Sequence, residues 1–497
     1  MTLQNIAGIL RSNFSSRQPD TRYSKMLKTL RIKNFKAWED TGPISMAPIT
    51  LFFGANSSGK SSIGQFLMML KQTAASSDQR TVFYPGRDDA AVQLGSFREM
   101  VYGRNLRKEI EFEYRWSSPN TLSFKDPISD PERVCSGDEL DFQAIIASYK
   151  KIPFVSRLKY ELFEADESVL SIGMERPRKR KANYVVAPDS YKLKRSQGRA
   201  WPLGAPIQFY GFPDEVVAYH QNADFVKDLN FQHEKLFQSI SYLGPIRIKA
   251  KRLYSWTGVE PENVGNSGEN AIAAFLAARK RRINLGTKKP YKSFNEVIAS
   301  KLKEMGLIEE FEVQAISAQR QEFEVRIRTR LSEDWVDLPD VGFGISQVLP
   351  VLVQCFYAPR DSIIVMEQPE LHLHPRAQSA LADVMIDVIN SREDRVDRNI
   401  QLIIETHSEH FLRRLQRRIA EGAEGEKRVV PEQVSAYFAR ADGERPVLEP
   451  LDIDDYGYIK NWPDHFFGDE MGDIMEQTKS ALKRCREQKG ITSSGDE

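Results

Sequence analysis

Apolar residues in this chain gather in short runs separated by long polar stretches, and the runs predict alternating strands and helices. Leu30, Ile32 and Phe35 read as a strand, followed by a turn through Glu39-Asp40-Thr41-Gly42-Pro43. Ile49 to Phe53 is an apolar run suited to a buried strand. Just beyond it Ile63, Phe66, Leu67 and Leu70 fall at i, i+3, i+4 and i+7, one buried face of a helix. From about Ser117 to Ser239 the chain is polar, with brief apolar runs such as Phe209 to Phe212. At Val341 it changes to Val-Gly-Phe-Gly-Ile-Ser-Gln and then a helical pattern through Val348, Leu352 and Val353. Ser362-Ile-Ile-Val-Met-Glu367 is the near-continuous run that strands of parallel sheets show. A helix is expected over Arg376 to Asn390, and a last apolar run, Ile400 to Ile404, leads into Glu405-Thr-His-Ser408. Neither internal repeats nor coiled-coil heptads are visible.

Composition narrows the class. The 497 residues allow two to four domains, and 28% charged with 41% hydrophobic residues is the balance of a soluble globular protein. A formal charge of +1 means that nucleic-acid contact would need local patches. Cys135, Cys355 and Cys485 lie far apart without metal-ligand spacing, and the first twenty residues lack a continuous apolar core. The apolar stretch from Ile345 to Ala358 is broken by Gln347, Pro350 and Gln354 and is too short to span a bilayer. A cytoplasmic location without membrane contact is expected.

The decisive chemistry lies between the first buried strand and its helix. Gly54, Ala55, Asn56, Ser57, Ser58, Gly59, Lys60 and Ser61 spell G-x-x-x-x-G-K-[ST], and with Ser62 they form the expected nucleotide-binding set. Glycines let backbone N–H groups wrap phosphates, and the helix N-terminus adds its positive dipole end. Lys60 would reach the β- and γ-phosphates and the Ser61 hydroxyl would hold Mg²⁺. ATP and Mg²⁺ are the expected cofactors. Roughly 300 positions separate Lys60 from Glu367, the acidic end of the second strand, so a large body of chain is inserted between the halves of the site.

Several further stretches carry a resemblance. Leu30-Arg-Ile-Lys-Asn-Phe-Lys36 resembles the opening of RecF- and SMC-like ATPases. Ile364-Val-Met-Glu-Gln-Pro-Glu-Leu-His-Leu-His-Pro375 and Glu405-Thr-His-Ser-Glu-His410 resemble motifs of overcoming-lysogeny-like and Septu-type bacterial ATPases, as does Tyr242-Leu-Gly-Pro-Ile-Arg247. The ending, Tyr456-Gly-Tyr-Ile-Lys-Asn-Trp-Pro463, resembles a small C-terminal domain of unknown function found in many of them. The resemblance implies an α/β fold: an ABC-type P-loop ATPase head with a β-rich nucleotide subdomain, a helical lobe and an inserted middle region. The expected divisions are a tail over 1–25, the first half of the head over 26–116, the inserted middle over 117–240, a lobe over 241–340, the second half of the head over 341–440 and a small domain over 441–497.

The resemblance also implies roles. Glu367 stands where a carboxylate is directed at Mg²⁺, and His407 where a switch histidine touches the γ-phosphate. Gly342, Gly344 and Ser346 stand where a signature loop from an opposing subunit closes over ATP, and Gln93 where a glutamine senses water and metal. The slot of the usual general base holds Gln368, whose amide cannot accept a proton at neutral pH. Either Glu370 or another group positions the water, or the protein is a slow, ATP-gated switch. The implied function is an ATPase of anti-phage defence that works as a homo-oligomer of ATP-sandwiched heads and controls a separate nuclease or effector chain. The alternatives are a DNA-repair ATPase acting directly on DNA and a non-hydrolysing scaffold glued by ATP.

Weaker signals were weighed against plainer readings. Arg176 to Arg199 holds nine Lys or Arg and Arg279 to Lys292 holds seven, candidates for nucleic-acid contact or solvated loops. His372 and His374 would share one side of a strand, with no further metal ligands evident, so a structural role is expected. Asp452-Ile-Asp454-Asp455-Tyr-Gly457 matches a nuclease metal motif in outline, but too little chain follows His407 for a nuclease of that kind.

Overall fold

The computed structural model describes residues 26–87, 90–126, 130–177, 183–188, 191–198, 202–286, 289–317, 319–329, 334–422, 429–442, 445–463, 466, 475–481 and 484. At its centre lies a six-stranded sheet in the order Ile240–Leu243, Ile363–Glu367, Gln401–Glu405, Ile49–Gly54, Val434–Asp442, Arg445–Pro450. The first five strands are parallel and the last is antiparallel. Both faces are covered, which is why these strands read as continuous apolar runs. Phe52, Ile363, Val365, Ile403 and Tyr437 face one core, while Leu51, Phe53, Ile364, Met366, Leu402 and Ile404 face the other.

The first core is closed by the Lys60–Ala74 and Phe225–Gln238 helices and by an eight-stranded antiparallel sheet. That sheet runs Trp38–Asp40, Leu27–Phe35, Ile110–Asp126, Asp130–Tyr149, Ile152–Glu164, Glu167–Glu175, Val185–Pro188, with Ile44–Ser45 paired to Leu27–Phe35. The expected boundary at 116 therefore falls inside a strand, and the strands Asp130–Tyr149, Ile152–Glu164, Glu167–Glu175 and Val185–Pro188 extend the same sheet rather than form a separate insertion. The stretch looks polar because only one face is buried. Tyr114, Trp116, Phe142 and Tyr160 point inward, and their neighbours Arg115, Asp141, Lys159 and Glu161 point out. Fully buried His233, on the Phe225–Gln238 helix, sits among these aromatics. Tyr114 and Tyr160 hydroxyls meet its ring nitrogens at 2.7 and 2.9 Å, and Tyr210 stacks on it. Burial holds its pKa well below the usual histidine range, so the ring is neutral.

The second core is built from the Ala271–Ala278, Phe294–Glu304, Phe343–Tyr357, Pro375–Ile389 and Glu409–Glu421 helices. The expected boundary at 440 also falls inside a strand, Val434–Asp442, whose hairpin partner Arg445–Pro450 completes the central sheet. Phe466 stacks on Phe438 and packs against Phe53, so this side chain covers part of the core. His372 and His374 are not on a strand. His372 turns the chain with φ 64°, and His374 caps the Pro375–Ile389 helix by accepting from the Arg376 N–H. The Asp452–Gly457 stretch is a turn in which Asp454 accepts from the N–H groups of Tyr456 and Tyr458 at 2.9 Å. Arg178-Lys-Arg-Lys181 lies outside the described residues. In the second basic run Arg281 is bonded to Glu393 and to the Tyr357 carbonyl. Among the described residues no helix is long and apolar enough to cross a membrane.

One buried side chain ties the two sheets together. Gln401 accepts from the Leu27 N–H at 3.0 Å and donates to the carbonyls of Leu27 and Ala47 at 2.9 and 3.2 Å. Gln401→Leu keeps the volume and strips these partners, at about 1–3 kcal/mol for each buried group left unsatisfied. Thermal unfolding of the nucleotide-free variant should begin at a lower temperature; an unchanged midpoint would show that the sheets are held together elsewhere.

Candidate functional site

Parallel strands end on one edge, and here that edge gathers Gly54, Glu367 and Glu405. Gly54 leaves its strand with φ 137°, where a Cβ would lie 2.2 Å from the Ala439 carbonyl oxygen, so only glycine fits. Gly59, at φ 93°, delivers the chain into the Lys60–Ala74 helix, whose inward face holds Ile63, Phe66, Leu67 and Leu70 as the periodicity predicts. The Trp38 indole donates to the Gly59 carbonyl at 3.0 Å and fixes the loop against the antiparallel sheet. Lys60 folds back on the loop, donating to the carbonyls of Gly54 and Ala55 at 3.0 and 2.7 Å. Burial lowers its pKa, and nearby Glu405 opposes that shift.

Strand order decides which carboxylate meets the loop. The Gln401–Glu405 strand lies between the Ile49–Gly54 and Ile363–Glu367 strands, so Glu405 accepts from the Ser61 hydroxyl at 3.0 Å. Glu367, one strand further and in register with Glu405, accepts from the Tyr242 hydroxyl at 2.9 Å. Burial, reinforced by Glu405, pushes the Glu367 carboxyl up to about 7, while Tyr242 and Lys36 pull the other way. Burial raises Glu405 as well, opposed by Ser61 and Lys60, and its second oxygen is buried with no hydrogen-bond partner among the described residues.

A cleft of about 360 Å³ opens over this edge. Of the residues expected from sequence it is lined by Asn56, Ser57, Gly59, Lys60, Ser61, Ser62, Gln368 and His407. Glu367 lies behind Glu405, buried. Glu370 is buried too, accepting from the His407 N–H at 2.8 Å, with the Thr406 side chain also acting on its carboxyl. Gln93 is exposed, donates to the Arg87 carbonyl at 3.2 Å and does not line the cleft. Gly342, Gly344 and Ser346 lie at the start of the Phe343–Tyr357 helix, also outside the cleft, with Ser346 bonded to the Phe343 carbonyl at 2.8 Å.

Sequence reasoning missed Lys36, Gln65 and Glu405 in the cleft lining, and the supports Tyr242 and Arg247. Glu405 could have been found, since its strand, like that of Glu367, is an apolar run closed by a glutamate. Lys36 hangs from a turn at φ 47° and donates to Gln65 at 2.5 Å, adding a second ammonium to the cleft. The donor set fits a phosphate chain with a hard cation: two ammonium groups, loop amides, the Ser61 hydroxyl, and two carboxylates with one orphaned oxygen. Ser61, Glu405 and Glu367 are the residues that would hold Mg²⁺, which would supply positive charge for the phosphates.

Residues 26–195 and 208–412 match the family model described as the AAA ATPase domain. The chain belongs to that family. Residues 429–477 match a second family, described as a protein of unknown function (DUF3696). No curated protein matches this AAA ATPase. Similar solved structures include the SMC head domain from Thermotoga maritima (11% identity, TM-score 0.37, 86% of this chain and 100% of that one). Two more are an SmcHead bound to the C-winged helix domain of ScpA (11%, TM-score 0.41, 86% and 98%) and an Smc head with an extended coiled coil bound to the C-terminal domain of ScpA derived from Pyrococcus furiosus (8%, TM-score 0.38, 93% and 99%).

The raised carboxyls give a signed pH dependence. Between the ordinary carboxylate range and about 7 the folded, nucleotide-free protein holds a proton on Glu367 that the unfolded chain does not, so its stability falls as pH rises through that window. Cation binding runs the opposite way, because it needs the ionised form. Calorimetry of Mg²⁺-nucleotide binding between pH 6 and 8 should show affinity rising with pH, and Glu367→Gln should flatten the rise.

Proposed function

We propose that this AAA ATPase binds ATP with Mg²⁺ in the Lys60 cleft and hydrolyses it slowly, using closure of two heads as the output. The observation that carries the reading is the convergence of Lys60, Ser61, Glu405 and Glu367 on one sheet edge beside His407. In this reading Lys60 leaves the loop carbonyls for the phosphates, and Ser61 exchanges its bond to Glu405 for the cation. His407 reaches the γ-phosphate, and Lys36 adds charge at the cleft wall. Gln368 faces the cleft in the place of a general base, and its amide orients water without taking a proton. Glu370 supports His407 from behind rather than serving as the base, since its carboxylate is buried against the His407 backbone.

Closure by a second copy explains why the Gly342–Ser346 turn stands outside its own cleft. Gly342 has open space around its Cα, and Phe343 is 51% exposed. Ile246, in the loop that leaves the sheet edge after Ile240–Leu243, is 83% exposed. Apolar groups left bare around a polar cleft suit a face that a partner covers. Anti-phage defence, with a separate nuclease or effector chain answering to the closed state, is the cellular role that the motifs around Glu367 and His407 favour.

Light scattering with saturating Mg²⁺-ATP should show dimers or higher even oligomers, and Lys60→Ala should weaken nucleotide binding and lose the shift. An unchanged monomer with nucleotide demonstrably bound would defeat the closure reading. Turnover supplies a second check. General-base catalysis contributes about 10²–10⁴-fold, so the wild type should be slow and Gln368→Glu faster. Should Glu370→Gln abolish turnover while Gln368→Glu changes nothing, the base is Glu370. For the cellular role, plaque counts on cells carrying the wild-type gene should fall below those on cells carrying Lys60→Ala; equal counts would remove defence.

A further inference from the structure

Gln368 turns the chain with φ 46°, a backbone conformation that residues other than glycine rarely adopt. It follows directly on the Ile363–Glu367 strand, so this turn decides where the chain leaves the sheet and whether the Gln368 amide points into the cleft. The turn is pinned from both sides. Its N–H donates to the Glu405 carbonyl at 2.8 Å. Its carbonyl accepts from both terminal nitrogens of Arg247 at 3.3 Å, and Arg247 also donates to the Glu367 carbonyl at 3.2 Å. Arg247 is 5% exposed, and its charge lies near buried Glu370.

A buried guanidinium spread over the two carbonyls at a strained turn is costly to desolvate, so it calls for a reason. Holding its own segment is not that reason. Gly244 already donates to the Asn266 carbonyl at 2.8 Å and Ile248 to the Ser267 carbonyl at 2.9 Å, one on each side of Arg247. We propose that Arg247 is a positioning residue for hydrolysis, which acts by forcing Gln368 into the left-handed turn that presents its amide to the cleft. Among the described residues its hydrogen bonds go to the main-chain carbonyls of Glu367 and Gln368 and not to Lys60, Ser61 or His407, so its loss should affect turnover more than ATP affinity. The proposal rests on the ATPase reading of the cleft and adds a residue that the cleft lining does not contain.

The test is a cycle of Arg247→Met and Gln368→Gly, singly and together, followed by turnover, ATP affinity and the structure of the Arg247→Met variant. Misplacing a reacting group by about 1 Å costs on the order of 100-fold, so Arg247→Met should lower kcat by about 10–100-fold with KM and ATP affinity little changed. Glycine adopts the turn without strain and carries no amide, so in the Gln368→Gly background the same change should add almost nothing. An equal drop in both backgrounds, or none in either, overturns the proposal. The variant structure answers without turnover: Gln368 relaxed to negative φ with its amide withdrawn is expected, and an unmoved Gln368 overturns the inference. If the wild type itself hydrolyses no ATP, the ATPase reading falls alone and the structure still decides the role of Arg247. Arg247→Lys, which keeps the charge but loses the planar fork, serves the same comparison should the Met variant fail to fold.

Discussion

Two buried carboxylates side by side govern this site. Glu367 and Glu405 end adjacent parallel strands in register, where neither can ionise comfortably without positive charge nearby. Everything around them answers that demand in part. Tyr242 bonds one, Ser61 bonds the other, and Lys36 and Lys60 lend charge from the cleft wall. None of these satisfies the pair completely, since one Glu405 oxygen stays orphaned. In the proposed reading, a cation that arrives with its ligand would supply what this edge lacks. Buried charge left partly unmatched contributes little to stability by itself.

The same edge explains the division of labour among nearby residues. Gln368 and Glu370 stand two apart in sequence, yet the left-handed turn at Gln368 sends them to different places. One lines the cleft, and the other goes inward to the His407 backbone. The loop that follows continues outward to His372, whose ring meets Phe343 edge-on at 4.9 Å and whose carbonyl limits the space at Gly344. A single loop of seven residues thus touches both the cleft and the helix start that stands outside it. Packed elements with few alternative arrangements carry displacement of this kind well.

The parts of the molecule that were legible in sequence are those with one unambiguous period. Ile49 to Phe53, the helix through Ile63 and Leu70, the Ile363–Glu367 strand and the helix beginning near Arg376 all stand where the pattern put them. The glycine–lysine loop was readable because phosphate binding constrains residue types at fixed spacing. The antiparallel sheet beyond residue 116 was not, because alternation with Arg, Asp, Lys and Glu dilutes its apolar face and mimics a solvated insertion. Tyr242 and Arg247 escaped for another reason. Their roles depend on which strands are neighbours, and strand order leaves no mark on local sequence.

That strand order has a consequence for how the molecule comes into being. The Ile49–Gly54 strand is made well before both its neighbours, Gln401–Glu405 and Val434–Asp442, which come nearly 350 residues later or more. The antiparallel sheet and its aromatic box around His233 use only residues before 240, and can condense while synthesis continues. Until the late strands emerge, this apolar strand of the nascent chain has two bare edges, and its phosphate loop has the Trp38 bond but not the Glu405 one. Contacts of such long sequence separation are slow to form and leave sticky surface waiting. The cleft thus waits for Glu405, 344 positions after Ser61, and any aggregation of partly made chains should start from that early strand.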